Sequence, residues 1–270
     1  MSSLTKALFL TTVLATFAGC AAQPREVPEI MPGYLQGYLA EAEQFDSRVF
    51  VPPAPEAGSP MEALDVAWSE RMLALRGTPR WDLATKDAEL HFPEAAGTFA
   101  CALGVSVSET QTPMLYQLLR RTLTDLGLAT YPAKNAYQRS RPFTVNGAPT
   151  CTPDMEERLS SDGSYPSGHT AIGWGWGLIL AELAPEQAEA LVARGRAFGE
   201  SRNVCNVHWY SDVVAGRLVG AATVARLQDN PEFRKDLQAA RGEIEKARTA
   251  GQLPEGDCDT EAAALAAPLF

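Results

Sequence analysis

Residues 166–183 read PSGHTAIGWGWGLILAEL. Pro166-Ser167-Gly168-His169 marks a loop-to-helix junction, and from Thr170 to Leu183 the chain is strongly apolar. Gly173, Gly175 and Gly177 alternate with Trp174 and Trp176. Glycine costs a helix stability, so three of them in one apolar helix predict that a second helix approaches closely. The stretch Ile172 to Leu183 is the chain's nearest thing to a membrane span after residue 20. It is too short, and Glu182 and Glu186 follow it.

Outward from this helix the spacing stays helical. Pro185 opens a helix to about Ser201, and Asp212 to Leu227 is apolar at Val214, Leu218, Ala222 and Ala225. Asn230-Pro231 caps a last helix with Phe233, Leu237 and Ile244 on one stripe. Upstream, Thr112-Pro113 is a capping hydroxyl followed by a first-turn proline, and Leu115, Leu118, Leu119 and Leu126 follow. Met61 to Leu75 places Leu64, Ala67, Trp68 and Met72 on one face. Trp81 to Leu90 starts another helix, and Tyr34 to Phe45 forms a short one. Alternating β-branched runs are almost absent. The expectation is an all-α, single-domain helical bundle over residues 33–250.

With 270 residues, 46% of them hydrophobic, the chain can bury one proper core. Its formal net charge of −10 excludes general affinity for nucleic acid, which depends on many Lys and Arg. Any polyanion site must be a local cluster of cations. The N-terminus has the pattern of an export signal: Lys6, then a short apolar run from Ala7 to Ala18. The run ends in Phe17-Ala18-Gly19-Cys20, which resembles a bacterial lipobox. That resemblance implies a signal over 1–19, lipidation of Cys20, and a periplasmic protein tethered to the outer membrane. Phe17 stands where the lipobox has leucine, so ordinary cleavage near Ala22 stays open. Residues 20–32 then read as a tether and 251–270 as a C-terminal loop and tail. Four further cysteines, Cys101, Cys151, Cys205 and Cys258, suit two disulfides in an oxidising compartment. The expected pairs are Cys101–Cys151 and Cys205–Cys258, each enclosing part of the chemical region. No CxxC pair occurs, which argues against zinc.

Three segments carry the chemistry: Lys134-x6-Arg141-Pro142, Pro166-Ser167-Gly168-His169, and Ser201-Arg202-x5-His208-x3-Asp212. The chain has three histidines, and two lie in these segments. The first N–H groups of a helix lack internal partners, so the turn at Ser167-Gly168 can hold an anion. Seven residues of helix would bring Lys134 and Arg141 to one face, and Arg139 is a further cation nearby. Arg202 and His208 are about 600° apart on a continuous helix, so the helix must break between them if both face one site. His208 and Asp212, four apart, can share a helix face, with the carboxylate fixing one imidazole nitrogen. Taken singly, each segment is an ordinary cap, surface patch or surface pair.

Together, their order and spacing resemble the signature of the type 2 phosphatidic acid phosphatase and vanadium haloperoxidase superfamily. Gly77-Thr78-Pro79-Arg80-Trp81 and the stretch from Ala133 to Pro153 further resemble the soluble class A bacterial non-specific acid phosphatases. The resemblance implies an all-α fold and hydrolysis of small phosphomonoesters with release of inorganic phosphate. It also implies a phosphohistidine on His208 oriented by Asp212, and His169 as acid and then base. Lys134, Arg141, Arg202, Ser167 and Gly168 would hold the phosphoryl group, with no metal or other cofactor. Phosphate or vanadate could occupy that pocket. A vanadium-dependent haloperoxidase and a non-catalytic phosphate-binding lipoprotein are the alternatives, and self-association is left open.

Overall fold

The computed structural model describes residues 23–269. The export segment and Cys20 lie outside the described residues. A small antiparallel hairpin, β1 (Glu29–Met31) and β2 (Tyr34–Leu35), precedes the helices. These are α1 (Pro60–Leu73), α2 (Pro79–Lys86), α3 (Ala100–Leu103), α4 (Pro113–Leu128), α5 (Tyr131–Tyr137) and α6 (Pro142–Asn146). They continue as α7 (Glu156–Ser160), α8 (Gly168–Leu183), α9 (Ala188–Val204), α10 (Tyr210–Leu227), α11 (Pro231–Thr249) and α12 (Cys258–Leu265). The fold is all-α, as the helical spacing predicts.

Helix α8 is the centre, packed against α4, α9 and α10, with α11 laid on α4. Its glycines are the reason neighbours come so close. A Cβ on Gly173 would overlap the Phe198 ring of α9, and one on Gly175 would overlap Leu126 of α4. At Gly195, on α9, a Cβ would meet the carbonyl of Gly173 at 2.8 Å. On the other side, a Cβ at Gly216 of α10 would lie 2.5 Å from the carbonyl of Ser167. Helix α10 is thereby pressed onto the turn that opens α8. Trp176 is completely buried, and its indole N–H donates to the carbonyl of Leu119 at 3.2 Å. A buried indole left without an acceptor would cost about 1–3 kcal/mol.

Several local expectations change. Thr112 does not cap α4; Glu243 of α11 does so, accepting the N–H groups of Met114 and Leu115 at 3.0 Å each. A carboxylate fits there because the helix N-terminus is positive. The face of α1 is rotated: Asp65, Trp68, Ser69 and Met72 are buried, while Leu64 is exposed. Tyr34 to Phe45 is not a helix but β2 and a single 3-10 turn at Glu41–Glu43. The tether's last residues form β1. The tail folds into α12, capped by the Asp257 side chain on the Thr260 N–H, and Leu269 is buried beyond it.

All four cysteines are bridged, but the pairs are Cys101–Cys258, with Cα atoms 5.5 Å apart, and Cys151–Cys205, 4.9 Å apart. The expected pairs fail because α12 packs on α2, bringing Cys258 to Cys101 of α3. Cys151 instead lies in the loop beyond α6, against the C-terminal end of α9. Among the described residues no helix is long and apolar enough to cross a membrane.

Candidate active site

The three chemical segments converge at the α8 N-terminus. Ser167 is the N-cap of α8: its Oγ accepts the Thr170 N–H at 3.3 Å and the Thr170 hydroxyl at 2.9 Å. With both acceptor positions used, the hydroxyl proton of Ser167 remains to donate. The N–H groups of Gly168 and His169 belong to the first turn, where the helix has no carbonyl to offer them. Thr170 also fills the space against Gly199 of α9 and Gly216 of α10, so this turn is held from both sides.

Lys134 and Arg141 do converge, but not along a helix. Helix α5 ends at Tyr137, and Gln138 adopts a left-handed φ of 43°. The chain then runs extended to Arg141 at the N-cap of α6. The two side chains meet at the carbonyl of Gly163, which accepts from Lys134 Nζ at 2.6 Å and from Arg141 Nη2 at 3.3 Å. Asp162 sits beside both, 3.6 Å from Lys134 Nζ and 3.3 Å from Arg141 Nη2. Burial, then Arg141, pulls the Lys134 ammonium down to about 8.

The helix breaks between Arg202 and His208, as the geometry requires: α9 ends at Val204 and α10 begins at Tyr210. Arg202 is 2% exposed, and its Nε and Nη1 have no hydrogen-bond partner among the described residues. Burial and then Arg141 lower its basicity to about 9. A buried guanidinium with two unpartnered nitrogens is a costly arrangement that an incoming anion would relieve.

His208 is 4% exposed and lies before α10, not on it. The i, i+4 pair therefore works differently from two residues on one helix face. Asp212, in the first turn of α10, reaches back: its Oδ2 accepts the Trp209 N–H at 2.8 Å and lies 3.3 Å from His208 Nδ1. On the other side of the ring, Arg141 Nη1 is 3.1 Å from His208 Nε2. Arginine can only donate, so Nε2 carries the lone pair and Nδ1 the proton. Burial, followed by Arg141, Lys134 and Arg202, pulls His208 well below the usual histidine range. Burial raises Asp212, and Arg139 opposes that rise.

His169 is partly exposed and stacks on Phe198, with ring centroids 6.4 Å apart. Its Nε2 donates to the carbonyl of Ala88 at 3.0 Å, leaving Nδ1 as the nitrogen free for a ligand. Burial and then Arg202 pull it well below the usual range.

Arg139, read as an extra cation of the pocket, faces the other way. It bridges Asp212 Oδ1 at 2.6 Å and Asp65 Oδ2 at 2.7 Å. The motifs do not mark Asp65, although Asp65, Trp68, Ser69 and Met72 form a helical stripe that signals a polar buried face. Nor do they mark Asn203, whose amide donates to the His208 carbonyl at 2.9 Å. No group of His, Cys, Asp or Glu able to hold a metal occurs among the described residues. The pocket is instead lined by cations and N–H donors, which suit a tetrahedral oxyanion and repel a metal ion.

The sequence matches the PAP2 superfamily over residues 116–231, a span that contains all three segments. It is 42% identical over 214 residues to the acid phosphatase of Zymomonas mobilis subsp. mobilis, covering 78% of this chain and 80% of that one. It is 43% identical over 210 residues to the non-specific acid phosphatase of Providencia stuartii, covering 77% and 85% of the two chains. The non-specific acid phosphatase of Salmonella typhimurium is 40% identical over 211 residues, with 78% and 84% covered. On this likeness the chain belongs to the bacterial non-specific acid phosphatases of the PAP2 superfamily and hydrolyses phosphomonoesters.

Proposed function

We propose that hydrolysis runs through a phosphohistidine on His208, without a metal. The observation that carries this is the tautomer: Nδ1–H faces Asp212, and the Nε2 lone pair points into a cluster of cations. In the first step Nε2 attacks phosphorus and the bond to the leaving oxygen breaks. His169, protonated on both nitrogens, gives its Nδ1 proton to that oxygen. In the second step water attacks the phosphorus, His169 takes back a proton, and the P–Nε2 bond breaks to release phosphate. Lys134, Arg141 and Arg202 hold the equatorial oxygens and stabilise their charge, aided by the Ser167 hydroxyl and the Gly168 N–H. Burial and Arg202 favour the neutral form of His169. A bound phosphate dianion opposes the field of Arg202, so the substrate itself would promote the protonated acid.

We further read residues 1–19 as an export signal and the enzyme as periplasmic, tethered through Cys20. The test of the mechanism is p-nitrophenyl phosphate hydrolysis by the chain lacking residues 1–20. The expected result is activity that resists EDTA, is inhibited by vanadate, and is lost in His208→Ala. Full activity in His208→Ala would end the histidine mechanism; loss with EDTA would point to a metal. Globomycin-sensitive processing and loss of membrane fractionation in Cys20→Ala test the tether.

A further inference from the structure

Behind His208 and Asp212 lies a polar chain, buried except for a partly exposed Arg139, that the phosphoryl chemistry does not touch. Arg139 Nη1 meets Asp212 Oδ1 at 2.6 Å and its Nη2 meets Asp65 Oδ2 at 2.7 Å. Asp65 is fully buried in α1, and its other hydrogen bonds go to the start of α10. Its Oδ1 accepts the Ser211 N–H at 2.8 Å and its Oδ2 the Ser211 hydroxyl at 2.6 Å. One turn along α1, Trp68 donates to Asn203 Oδ1 at 3.2 Å, and Asn203 in turn holds the His208 carbonyl. Ser69 reaches Asn206 Oδ1 at 3.4 Å. A single face of α1 therefore grips the 203–212 segment at both ends.

We infer that Asp65 and Arg139 are positioning residues for the reaction, forming with Asp212 a relay that fixes the orientation and basicity of His208. Buried charges are expensive unless paired, and here the pairing alternates in sign: Asp65, Arg139, Asp212, then the imidazole. Arg139 keeps Asp212 ionised, and Asp65 balances Arg139 so that the cation's field on His208 is moderated. The groups facing His208 are Lys134 of α5, Arg141 before α6, Arg202 of α9 and Asp212 of α10, with His169 of α8 beyond them. Those facing Asp212 are Arg139, Lys134, Arg141 and Tyr165. Asp162 moderates Lys134 and Arg141.

The relay rests on His208 being the nucleophile, so its test must separate the two ideas. The measurement is the pH profile of p-nitrophenyl phosphate hydrolysis for Asp65→Asn and Arg139→Met. Removing the Asp65 charge leaves Arg139 less balanced, so the acid limb of kcat/KM should move to lower pH. Removing Arg139 takes away a cation, so the limb should move to higher pH. In both, kcat should fall about 10- to 100-fold, as for partners behind other oriented imidazoles, with KM little changed. A merely structural role would not move the limb in opposite directions. Unchanged limbs, or shifts of the same sign, overturn the relay. Activity surviving in His208→Ala overturns the nucleophile instead. Should Arg139→Met fail to fold, Arg139→Lys decides: charge kept, limb kept and kcat lowered is the expected result, and an unchanged kcat overturns the relay.

Discussion

Asp212 and His208 are joined across the break that precedes α10, not along it. One oxygen, Asp212 Oδ2, both caps the Trp209 N–H at 2.8 Å and lies 3.3 Å from His208 Nδ1. The cap and the imidazole therefore share an acceptor, and the helix start fixes the ring. In Asp212→Asn one of the two oxygens becomes an NH2 group, which must face either Arg139 or the cap and ring. With the NH2 toward the ring, Nδ1–H loses its Asp212 acceptor, so the tautomer protonated on Nε2, which Arg141 alone now opposes, gains population at the expense of the form with a lone pair for attack. Expected is a fall in kcat of about 10³–10⁴, comparable to other imidazoles left in the wrong tautomer. The cations are untouched, so vanadate inhibition should persist with a similar inhibition constant. Loss of vanadate binding alongside kcat would mean that the substitution had collapsed the pocket.

Arg202 is the clearest case in which the proposed phosphate-binding role runs against stability. Its Nε and Nη1 are buried without partners among the described residues, and burial with Arg141 lowers it to about 9. Arg202→Met removes an unpaired buried charge, so in phosphate-free buffer the thermal midpoint should rise. Activity should move the other way, with kcat/KM down about 10²–10³, the size expected for one transition-state donor. The parent should also gain about 2.7 kcal/mol in phosphate at one hundred times its Kd, and Arg202→Met should lose most of that gain at the same phosphate concentration. Differential scanning calorimetry with and without phosphate reads both effects. A lower midpoint in the phosphate-free variant would contradict the assignment.

The long helices are legible in the sequence because their spacing is a local property, but their buried faces are less so: Leu64 of α1 and Val214 and Leu218 of α10, each read as part of an apolar face, are exposed. Asn230 caps α11 on the N–H groups of Glu232 and Phe233, and the Asn-Pro pair announces it directly. The glycines of α8 are legible too, since three in one apolar helix cost stability that only close neighbours can repay. What stays hidden are relations between distant segments. Nothing near Thr112 announces that Glu243, 131 positions later in the chain, takes over its cap. Likewise the partner of Cys101 depends on α12, whose residues carry little periodic signal. Lys134 and Arg141 converge by a route that their spacing does not give: a continuous helix would place them on one face, but Gln138 ends the helix between them. Arg139 looks like one more cation, because its two carboxylate partners sit 74 residues before it and 73 after.

Lys134 gives a sharp pH expectation. Burial and then Arg141 lower it from 10.5 to about 8. In the free enzyme it should lose its charge as pH rises through about 8, so kcat/KM should fall there. A bound phosphate favours the ammonium, so the corresponding limb in kcat should lie at higher pH. The stability sign follows from the same shift. Below about 8 the lysine is charged in both folded and unfolded chains, and the burial penalty is present in full. Between about 8 and 10.5 the folded chain releases the proton first, and the penalty is relieved. Lys134→Met should therefore stabilise the phosphate-free protein more at pH 7 than at pH 10. Equal gains at both values would exclude a depressed lysine.

The two disulfides should fail differently. Cys101–Cys258 spans 157 residues and Cys151–Cys205 spans 54. Chain entropy makes them worth about 5 and about 4 kcal/mol respectively, so heat should not separate them strongly. Their positions do. Cys205 closes α9, three residues after Arg202 and three before His208, and its bridge ties that corner to the loop beyond α6. Cys101 and Cys258 join α3 to α12, neither of which supplies an oxyanion donor. The double variant Cys101→Ser, Cys258→Ser should lower the thermal midpoint while kcat at 25 °C stays near the parent's. In Cys151→Ser, Cys205→Ser the midpoint should fall by a similar amount and kcat should fall as well, because the Arg202 and His208 segment is no longer held from outside. Equal kcat in the two variants would show that packing of Val204 and Val207 alone keeps that corner in place.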